Sequence, residues 1–213
     1  MKTIQTIEEV RALVGDAPSA AAAGKMFPHL SIQAVEFVGR SPFMLLSTRD
    51  ETGHVTISPK GDAAGFVYVA DQQTLFIPER KGNRLIVSLQ NILATGDVGL
   101  IFLVPNTSET LRISGRCEIV LDEGLNQRMC DRRNRPALLV LKVTVQESYF
   151  HCAKALMRSG LWQPDSWGER SKVSFGRELA EKNGAAQTNT VEIDQYVDRS
   201  YANSAEEEGM IGA

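Results

Sequence analysis

The sequence is poor in the residues that build disulfide frameworks and metal centres. It holds three cysteines and three histidines among 213 residues. Cys117, Cys130 and Cys152 are widely spaced and odd in number, which argues against a disulfide framework and against the paired spacing of a zinc site. We therefore expect reduced cysteines that serve as packing residues, and no metal site.

Long apolar runs and targeting segments are also missing. No run approaches the roughly 20 apolar residues of a membrane-spanning helix, and the first residues show no signal-peptide core. The net charge is −3, which argues against general nucleic-acid binding. These features predict a cytoplasmic protein whose partners include neither membranes nor nucleic acid.

The common catalytic motifs are absent as well. The sequence has no Gly-x-Gly-x-x-Gly fingerprint, no P-loop and no recognisable catalytic triad. Its histidines, His29, His54 and His151, are scattered and have no carboxylate partners at metal-binding spacing. The residues alone therefore identify no catalytic side chain.

Short apolar and alternating segments dominate the middle of the chain. In 111–119, Leu111, Ile113 and Cys117 alternate with polar residues, as in a half-buried strand. Strands are predicted over 43–48, 54–58, 66–70, 74–77, 98–104, 111–119 and 138–145. Six or seven strands joined mostly by hairpin-like links predict a mainly β protein with peripheral helices, built on an antiparallel β-barrel rather than a doubly wound parallel sheet.

Helical patterns flank this core. Helices are predicted over 6–14, 19–25, 32–38, 83–94, 122–132, 149–159, 171–182 and 190–200. No internal repeat or linker is visible, so we expect one domain over 1–213. Its parts are N-terminal helices in 1–40, a barrel core in 41–146, C-terminal helices in 147–200 and a flexible tail in 201–213.

The densest cationic cluster lies where the 74–77 strand gives way to the 83–94 helix. Arg80, Lys81 and Arg84 surround Gly82 just after Pro78. A helix N-terminus offers unpaired N–H groups, and cations beside it add charge and donors, so this junction could bind a phosphate. A solvated basic turn is an equally good interpretation of this segment alone.

Three further polar clusters could contribute to a site. Ser58-Pro59-Lys60-Gly61-Asp62 could hold a phosphate or a heterocycle edge, although a strand-ending turn explains it too. The polar face of 109–115 could line a groove or simply face solvent. His151, Lys154 and Arg158 would share a face of the 149–159 helix, and Trp162 after it could cover a planar ring or pack in the core.

The order of these short motifs resembles a known family. Along the chain come Ser41-Pro42-Phe43, Asp50-Glu51-Thr52-Gly53, Ser58-Pro59-Lys60-Gly61-Asp62, Leu75-Phe76-Ile77-Pro78-Glu79-Arg80-Lys81-Gly82-Asn83-Arg84, Glu109-Thr110-Leu111-Arg112, His151-Cys152-Ala153-Lys154-Ala155 and Arg158-Ser159-Gly160-Leu161-Trp162. Over residues 25–180 this succession resembles the pyridoxamine 5′-phosphate oxidase-related flavin-nucleotide-binding proteins. The resemblance implies an FMN-binding split barrel that forms a homodimer, with FMN at the subunit interface.

The resemblance also implies roles for individual residues. Arg80 and Lys81 would hold the FMN phosphate, supported by Asn83 and Arg84. Ser58 and Lys60 would contact the phosphate or the polar edge of the isoalloxazine ring. The remaining implied FMN contacts are Thr110, Leu111 and Arg112 beside the ring or ribityl chain, and Lys154, Arg158, Ser159 and Trp162 from the second subunit.

The chain departs from true pyridoxamine 5′-phosphate oxidases at its C-terminus. Their Arg-Leu-x-Pro ending is absent, and helices and an acidic tail stand instead. We therefore expect an FMN-dependent oxidoreductase with an unidentified small redox substrate. A non-enzymatic flavin-binding or storage module is the alternative, and a haem-handling protein on the same barrel is a third interpretation.

Overall fold

The computed structural model describes residues 1–15, 17–20, 24–184 and 188–209. Its strands are β1 (Phe43–Arg49), β2 (Val55–Gly61), β3 (Tyr68–Val69), β4 (Thr74–Glu79), β5 (Asp97–Leu103), β6 (Thr110–Val120) and β7 (Leu139–His151). The α-helices are α1 (Ile7–Val14), α2 (Ile32–Arg40), α3 (Val87–Ala94), α4 (Glu123–Arg128), α5 (Lys154–Ser159), α6 (Phe175–Asn183) and α7 (Thr190–Glu208). A 3₁₀ turn covers Pro164–Ser166.

The strands form one antiparallel sheet in the order β2-β1-β5-β6-β7-β4-β3. Its central strand, β6, alternates between buried and open positions, because its apolar side chains face one way and its charged side chains the other. The register between β6 and β7 shifts at Ser114 and Gly115, where Gln146 is the extra residue of a bulge in β7. This mainly β split barrel with peripheral helices confirms the predicted fold class.

The core lies on the concave side of the sheet. Its fully buried side chains come from several strands and from α2, and they include Val38, Met44, Leu46, Leu75, Ile77, Phe102, Leu111 and Val143. Helix α3 packs against β1, β2, β5 and β6. The buried Asn91 side chain of α3 donates to the hydroxyls of Thr48 and Thr56, at 3.0 and 3.1 Å, and so fixes the helix to the first hairpin.

The barrel is split between β2 and β4. Among the described residues, side chains rather than a main-chain ladder join the two strands: Lys60 pairs with Glu79, and Asp62 pairs with Arg80. These two ion pairs define what we call the seam. Alternation in β2 directs Ser58 and Lys60 to the core side, since their cross-strand partners in β1 are the buried Leu46 and Met44.

The opposite side of β1, β2 and β5 carries apolar side chains open to solvent. Ile57 is 65% exposed, Val55 56% and Phe43 39%. The half-buried Leu45, Ile101 and Leu103 lie on the same side: Leu45 pairs with Ile101, and Phe43 with Leu103, whereas Ile57 and Val55 lie farther along β2, opposite Ser47 and Arg49. We call these six residues the apolar outer face.

Several helix boundaries differ from the sequence predictions. Helix α3 begins at Val87 rather than at 83, because Arg84 and Ile86 both have positive φ, at 63° and 49°, and break the helical backbone. Leu93 is exposed instead of facing the core, as is Ile32 of α2. Helices α4 and α6 are shorter than predicted.

The C-terminal half shows the largest differences. Strand β7 runs to His151, beyond the predicted end of the barrel core at 146, because Tyr149 and Phe150 still pair with β6. The helix predicted over 149–159 is therefore only Lys154–Ser159. Residues 201–208, predicted as flexible tail, continue helix α7.

Some predictions fall on residues outside the described ranges. The helix predicted over 19–25 includes Ala21, Ala22 and Ala23, and Asp16 lies between this helix and the one predicted over 6–14. The end of the predicted tail, 210–213, is also outside these ranges. In the described part of the chain, no helix is long and apolar enough to cross a membrane.

Candidate functional site

A cleft of about 590 Å³ lies at the seam. It is bounded by the end of β2, the end of β4, the loop that follows β4 and the segment after α4. Its lining consists of Ser58, Pro59, Lys60, Gly61, Asp62, Phe66, Pro78, Glu79, Arg80, Lys81, Gly82, Asn83, Asp131 and Arg132. Of the residues predicted to bind the cofactor, Ser58, Lys60, Arg80, Lys81 and Asn83 come together here.

Lys60 is held by a carboxylate across the seam. Its Nζ lies 2.5 Å from Glu79 Oε2, and both side chains are largely shielded, at 14% and 19% exposure. Among the described residues, β2 and β4 share no main-chain ladder. The ion pair between Lys60 and Glu79 therefore links the two strands beside the cleft.

Arg80 is pinned at three of its N–H groups. Nε and Nη2 lie 3.0 and 2.9 Å from Asp62 Oδ2, and Nη1 donates to the Met129 carbonyl at 2.8 Å. A guanidinium has five N–H donors, so two remain. Arg80 can therefore bind an anion in the cleft while its position is set by Asp62 and by the segment after α4.

Lys81 is in a different environment. Its side chain is 63% exposed and lies 3.5 Å from Glu207 of α7. Asn83, two residues on, accepts the main-chain N–H of Leu85 at 3.0 Å and so shapes the loop. Arg84 is exposed and is not part of the cleft lining.

Acidic groups balance most of the positive charge in the cleft. Four cations (Lys60, Arg80, Lys81 and Arg132) face three carboxylates (Asp62, Glu79 and Asp131) in the lining. Burial raises the pKa of Asp131, but the main-chain N–H and guanidinium of Arg135 more than offset this, so the net pKa is lowered. The cleft is thus weakly cationic at neutral pH, which suits one small anion.

The helix N-terminus predicted at this junction is not part of the cleft. The loop residues that line the cleft end at Asn83, whereas α3 begins at Val87. The N-cap residue Ile86 has a left-handed backbone and makes no side-chain capping hydrogen bond. The left-handed residues Arg84 and Ile86 separate the cations from the helix. Side chains and loop N–H groups, rather than a helix dipole, would have to bind the anion.

The second predicted group, on β6, lies away from this cleft. The Leu111 side chain is fully buried in the core, so only its main chain could reach a ligand. Thr110 pairs with His151 at the end of the sheet. Arg112 lies over the Tyr149 ring, and its Nε is buried without a hydrogen-bond partner in the structure.

The third predicted group follows β7. His151 belongs to the strand, so it does not share a helical face with Lys154 and Arg158 as predicted. The Ser159 hydroxyl donates a hydrogen bond to the Leu156 carbonyl of the same helix, at 3.0 Å. Trp162 donates its indole N–H to the Thr107 carbonyl at 2.9 Å, which ties this segment to the β5–β6 loop.

Within one chain, therefore, the predicted FMN contacts that line the cleft come only from β2 and from the end of β4 and the loop after it. Thr110, Leu111, Arg112, Lys154, Arg158, Ser159 and Trp162 are not among its lining residues. The groups that position Lys60 and Arg80, namely Glu79, Asp62 and the Met129 carbonyl, were not among the predicted site residues. Asp62 and Glu79 nevertheless stand within motifs visible in the sequence, whereas Met129 does not.

Among the described residues, Cys117 and the possible metal ligands suggest no second catalytic or metal site. Burial, and secondarily Glu118, raises the pKa of Cys117 to about 12, so this thiol is a packing group and not a nucleophile. Across the described residues, no group of three or more His, Cys, Asp or Glu side chains could hold a metal ion.

An antiparallel split barrel with a weakly cationic cleft of about 590 Å³ at its seam defines the class of protein. Within that class, the family model described as pyridoxamine 5′-phosphate oxidase matches residues 30–152. The chain belongs to this family, as its motif order had predicted. A comparison with curated proteins finds no match.

The solved structures to which the chain is similar are distant in sequence. HupZ from Group A Streptococcus is 15% identical, with a TM-score of 0.46 over 57% of this chain and 99% of its own. A putative pyridoxamine 5′-phosphate oxidase from Lactobacillus delbrueckii is 19% identical, with a TM-score of 0.44 over 58% and 95%. An FMN-binding protein from Syntrophomonas wolfei is 12% identical, with a TM-score of 0.45 over 68% and 97%.

Proposed function

We propose that this protein is an FMN-binding flavoprotein that transfers electrons to or from a small substrate. The observation that supports this most directly is the pinned Arg80 beside the open Lys81, in a cleft at the seam of a barrel of this family. The cleft's volume, about 590 Å³, falls within the roughly 300–1,000 Å³ typical of small-ligand pockets.

The residues of the cleft fit the phosphate end of FMN. Arg80 retains two unused N–H donors, and Lys81 offers a mobile ammonium. Charge-assisted hydrogen bonds to phosphate are stronger than neutral ones. Ser58 and Lys60 line the same cleft from β2 and would contact the phosphate or the near edge of the ring.

We also propose that the flavin site is completed by a second subunit. Pro59 and Gly61 lie on the side of β2 that adjoins the apolar outer face, whereas Ser58 and Lys60 lie on the cleft side. A homodimer formed through the outer face would cover Ile57 and Phe43. It would provide a place for the partner's copies of the β6 and α5 groups beside the flavin.

When bound, FMN would supply the redox chemistry, and the protein would supply binding, orientation and exclusion of water. No side chain needs to act as an acid or base for this role. We expect a single functional domain in the cytoplasm, where the free Cys117, Cys130 and Cys152 would stay reduced.

The test is a fluorescence-quenching titration of the purified apo protein with FMN and with riboflavin. Two charge-assisted bonds to phosphate, worth roughly 1.5–3 kcal/mol each, predict that FMN binds at least on the order of a hundredfold more tightly. Equal affinities would overturn the phosphate assignment. The absorption spectrum of the protein near the usual flavin band, with mass identification of any released flavin, provides an independent check.

Catalysis needs a separate experiment on the FMN-loaded protein. Stopped-flow reduction by a panel of donors should show electron transfer, whereas pyridoxal 5′-phosphate formation should be negligible because residues 1–213 contain no Arg-Leu-x-Pro motif. Turnover of pyridoxamine 5′-phosphate at about 1 per second or faster would contradict this. Flavin that binds but accepts electrons from no donor would indicate a storage protein instead.

A further inference from the structure

The C-terminal end of α7 reaches the loop that forms the mouth of the cleft. Glu207 Oε2 lies 3.5 Å from Lys81 Nζ. Two residues on, Gly209 lies against Arg133 so closely that an added Cβ would be 3.2 Å from the Arg133 Nε. The last turn of this long helix is therefore seated beside the cations of the cleft.

This end of the helix is negative in two ways. Its last carbonyls carry the negative pole of the helix dipole, and Glu206 and Glu207 add formal charge. Lys60 and Arg80 are paired with carboxylates of the barrel itself, whereas Lys81 meets a carboxylate of α7. The helix end thus supplies negative charge at the place where the proposed phosphate would bind.

We propose that the end of α7 is an internal competitor of the phosphorylated ligand for Lys81. This inference rests on the proposed flavin-phosphate site. A phosphate dianion beside Glu207 and the negative helix end would be repelled, so ligand and helix end exclude each other. The Lys81 and Glu207 side chains are 63% and 54% exposed, and exposed pairs are weak, so the ligand can displace the helix end.

Competition of this kind has a reciprocal consequence. If the helix end weakens ligand binding by some factor, ligand binding must weaken the seating of the helix end by the same factor. The last turn of α7 would then be released whenever the cleft is filled. Occupancy of the flavin site would be signalled at a surface outside the barrel.

The test compares FMN affinity in two charge-matched variants of the full chain. Glu206→Gln/Glu207→Gln removes the negative charge at the helix end. Glu178→Gln/Glu181→Gln removes the same charge from α6, which packs on α7. At low salt we expect the first variant to bind FMN about two- to fivefold more tightly than wild type, and the control to bind like wild type.

Salt should remove the difference. At about 1 M salt the Debye length is only about 3 Å, so wild type and both variants should converge. Equal FMN affinities of wild type and Glu206→Gln/Glu207→Gln at low salt would overturn the competition while leaving the flavin site intact. If no form binds FMN, the proposed function fails, and the competition fails with it.

Amide hydrogen exchange gives a second readout on the wild-type protein. Saturation with FMN should increase exchange in residues 203–209, whereas exchange in 190–198 should stay unchanged. Riboflavin, which lacks the phosphate, should leave both segments unchanged. Equal or slower exchange in 203–209 with FMN bound would also overturn the proposal.

Discussion

At the scale of single residues, the neighbours Arg80 and Lys81 differ in what holds them. Arg80 is bound on one edge by Asp62 and at Nη1 by the Met129 carbonyl, and its side chain is only 20% exposed. Lys81 reaches into solvent. The sequence shows two adjacent cations, but the fold makes one of them a structural link and leaves the other largely exposed beside Glu207 of α7.

We predict that Lys81→Ala and Arg80→Ala have different effects. Lys81→Ala should raise the Kd for FMN about tenfold or more and leave the apo melting temperature unchanged, because an exposed cation contributes little to stability. Arg80→Ala should weaken FMN binding too. It should also lower the free energy of unfolding of the apo protein by about 1–3 kcal/mol, since Asp62 and the Met129 carbonyl lose their partner.

Titration and thermal melts of the same preparations check this pair. Equal loss of apo stability in both variants would show that Lys81 is structural as well. Unchanged FMN affinity in Lys81→Ala would remove it from the phosphate site.

At the scale of elements, the close approach of β6 to β7 beside the bulge depends on a residue without a side chain. A Cβ on Gly115 would lie 2.2 Å from the Thr144 carbonyl oxygen of β7, which is main chain and cannot move aside. We predict that Gly115→Ala lowers the free energy of unfolding by about 2–4 kcal/mol. Urea denaturation measures this.

Gly39→Ala is the matched control. Gly39 lies in α2, and an added Cβ there has no neighbour within 4 Å. Alanine is the better helix former by up to about 1 kcal/mol, so this variant should be as stable as wild type or more so. Similar losses in both variants would show that the bulge has no special requirement for glycine.

The pairing of α6 with α7 should depend on pH through Asp194. This carboxylate accepts the Ser174 hydroxyl at 2.5 Å and the Gly176 N–H at 2.9 Å, and these bonds lower its pKa. Because the folded pKa lies below the unfolded one, the stabilisation is full above about pH 4. It is lost as the pH falls through the lowered value.

We therefore predict that Asp194→Asn increases amide exchange in residues 175–183 relative to wild type at pH 6. The difference should shrink as the pH falls through the lowered folded-state pKa, because wild-type Asp194 then becomes protonated too. Comparison of the two proteins at one pH cancels the intrinsic exchange rates. A difference that does not shrink as the pH is lowered would show that the carboxylate charge is not responsible.

The element boundaries show how much the sequence could predict. The alternation in β6 and the apolar β5 run were sufficient to predict both strands. The start of α3 was not, because left-handed backbone at Arg84 and Ile86 is a tertiary outcome at residues that rarely adopt it. The end of β7 was hidden because Gln146, Glu147 and Ser148 interrupt the apolar pattern while the pairing with β6 continues.

The residues of the site were likewise only partly predictable from the sequence. Arg80 and Lys81 were visible as a local cluster, whereas their partners come from other parts of the chain. Glu79 meets Lys60, and Asp62 meets Arg80, only because the two ends of the sheet curl toward each other. No local pattern encodes contacts across a gap that has no main-chain ladder.

At the scale of the whole molecule, we predict that Ile57→Glu disrupts the proposed homodimer. Ile57 is 65% exposed on the β2 strand of the apolar outer face, and a charge buried there on dimerisation would be costly. Light scattering at micromolar concentration should show a dimer for wild type and a monomer for the variant, with loss of FMN binding.

Leu121→Glu is the control for the dimer prediction. Leu121 is 80% exposed and is not part of the outer face, so this variant should remain dimeric and bind FMN. A wild-type protein that is monomeric with full flavin occupancy would contradict the proposed interface.

The sequences of the two strands at the seam also help to keep the barrel open. Each of its two strands carries a proline, Pro59 in β2 and Pro78 in β4, and proline has no main-chain N–H to give. An unbroken main-chain ladder across the seam would therefore lack an N–H donor at both prolines. The opening through which the proposed ligand would enter thus depends on the backbone chemistry of proline as well as on the charged side chains of the seam.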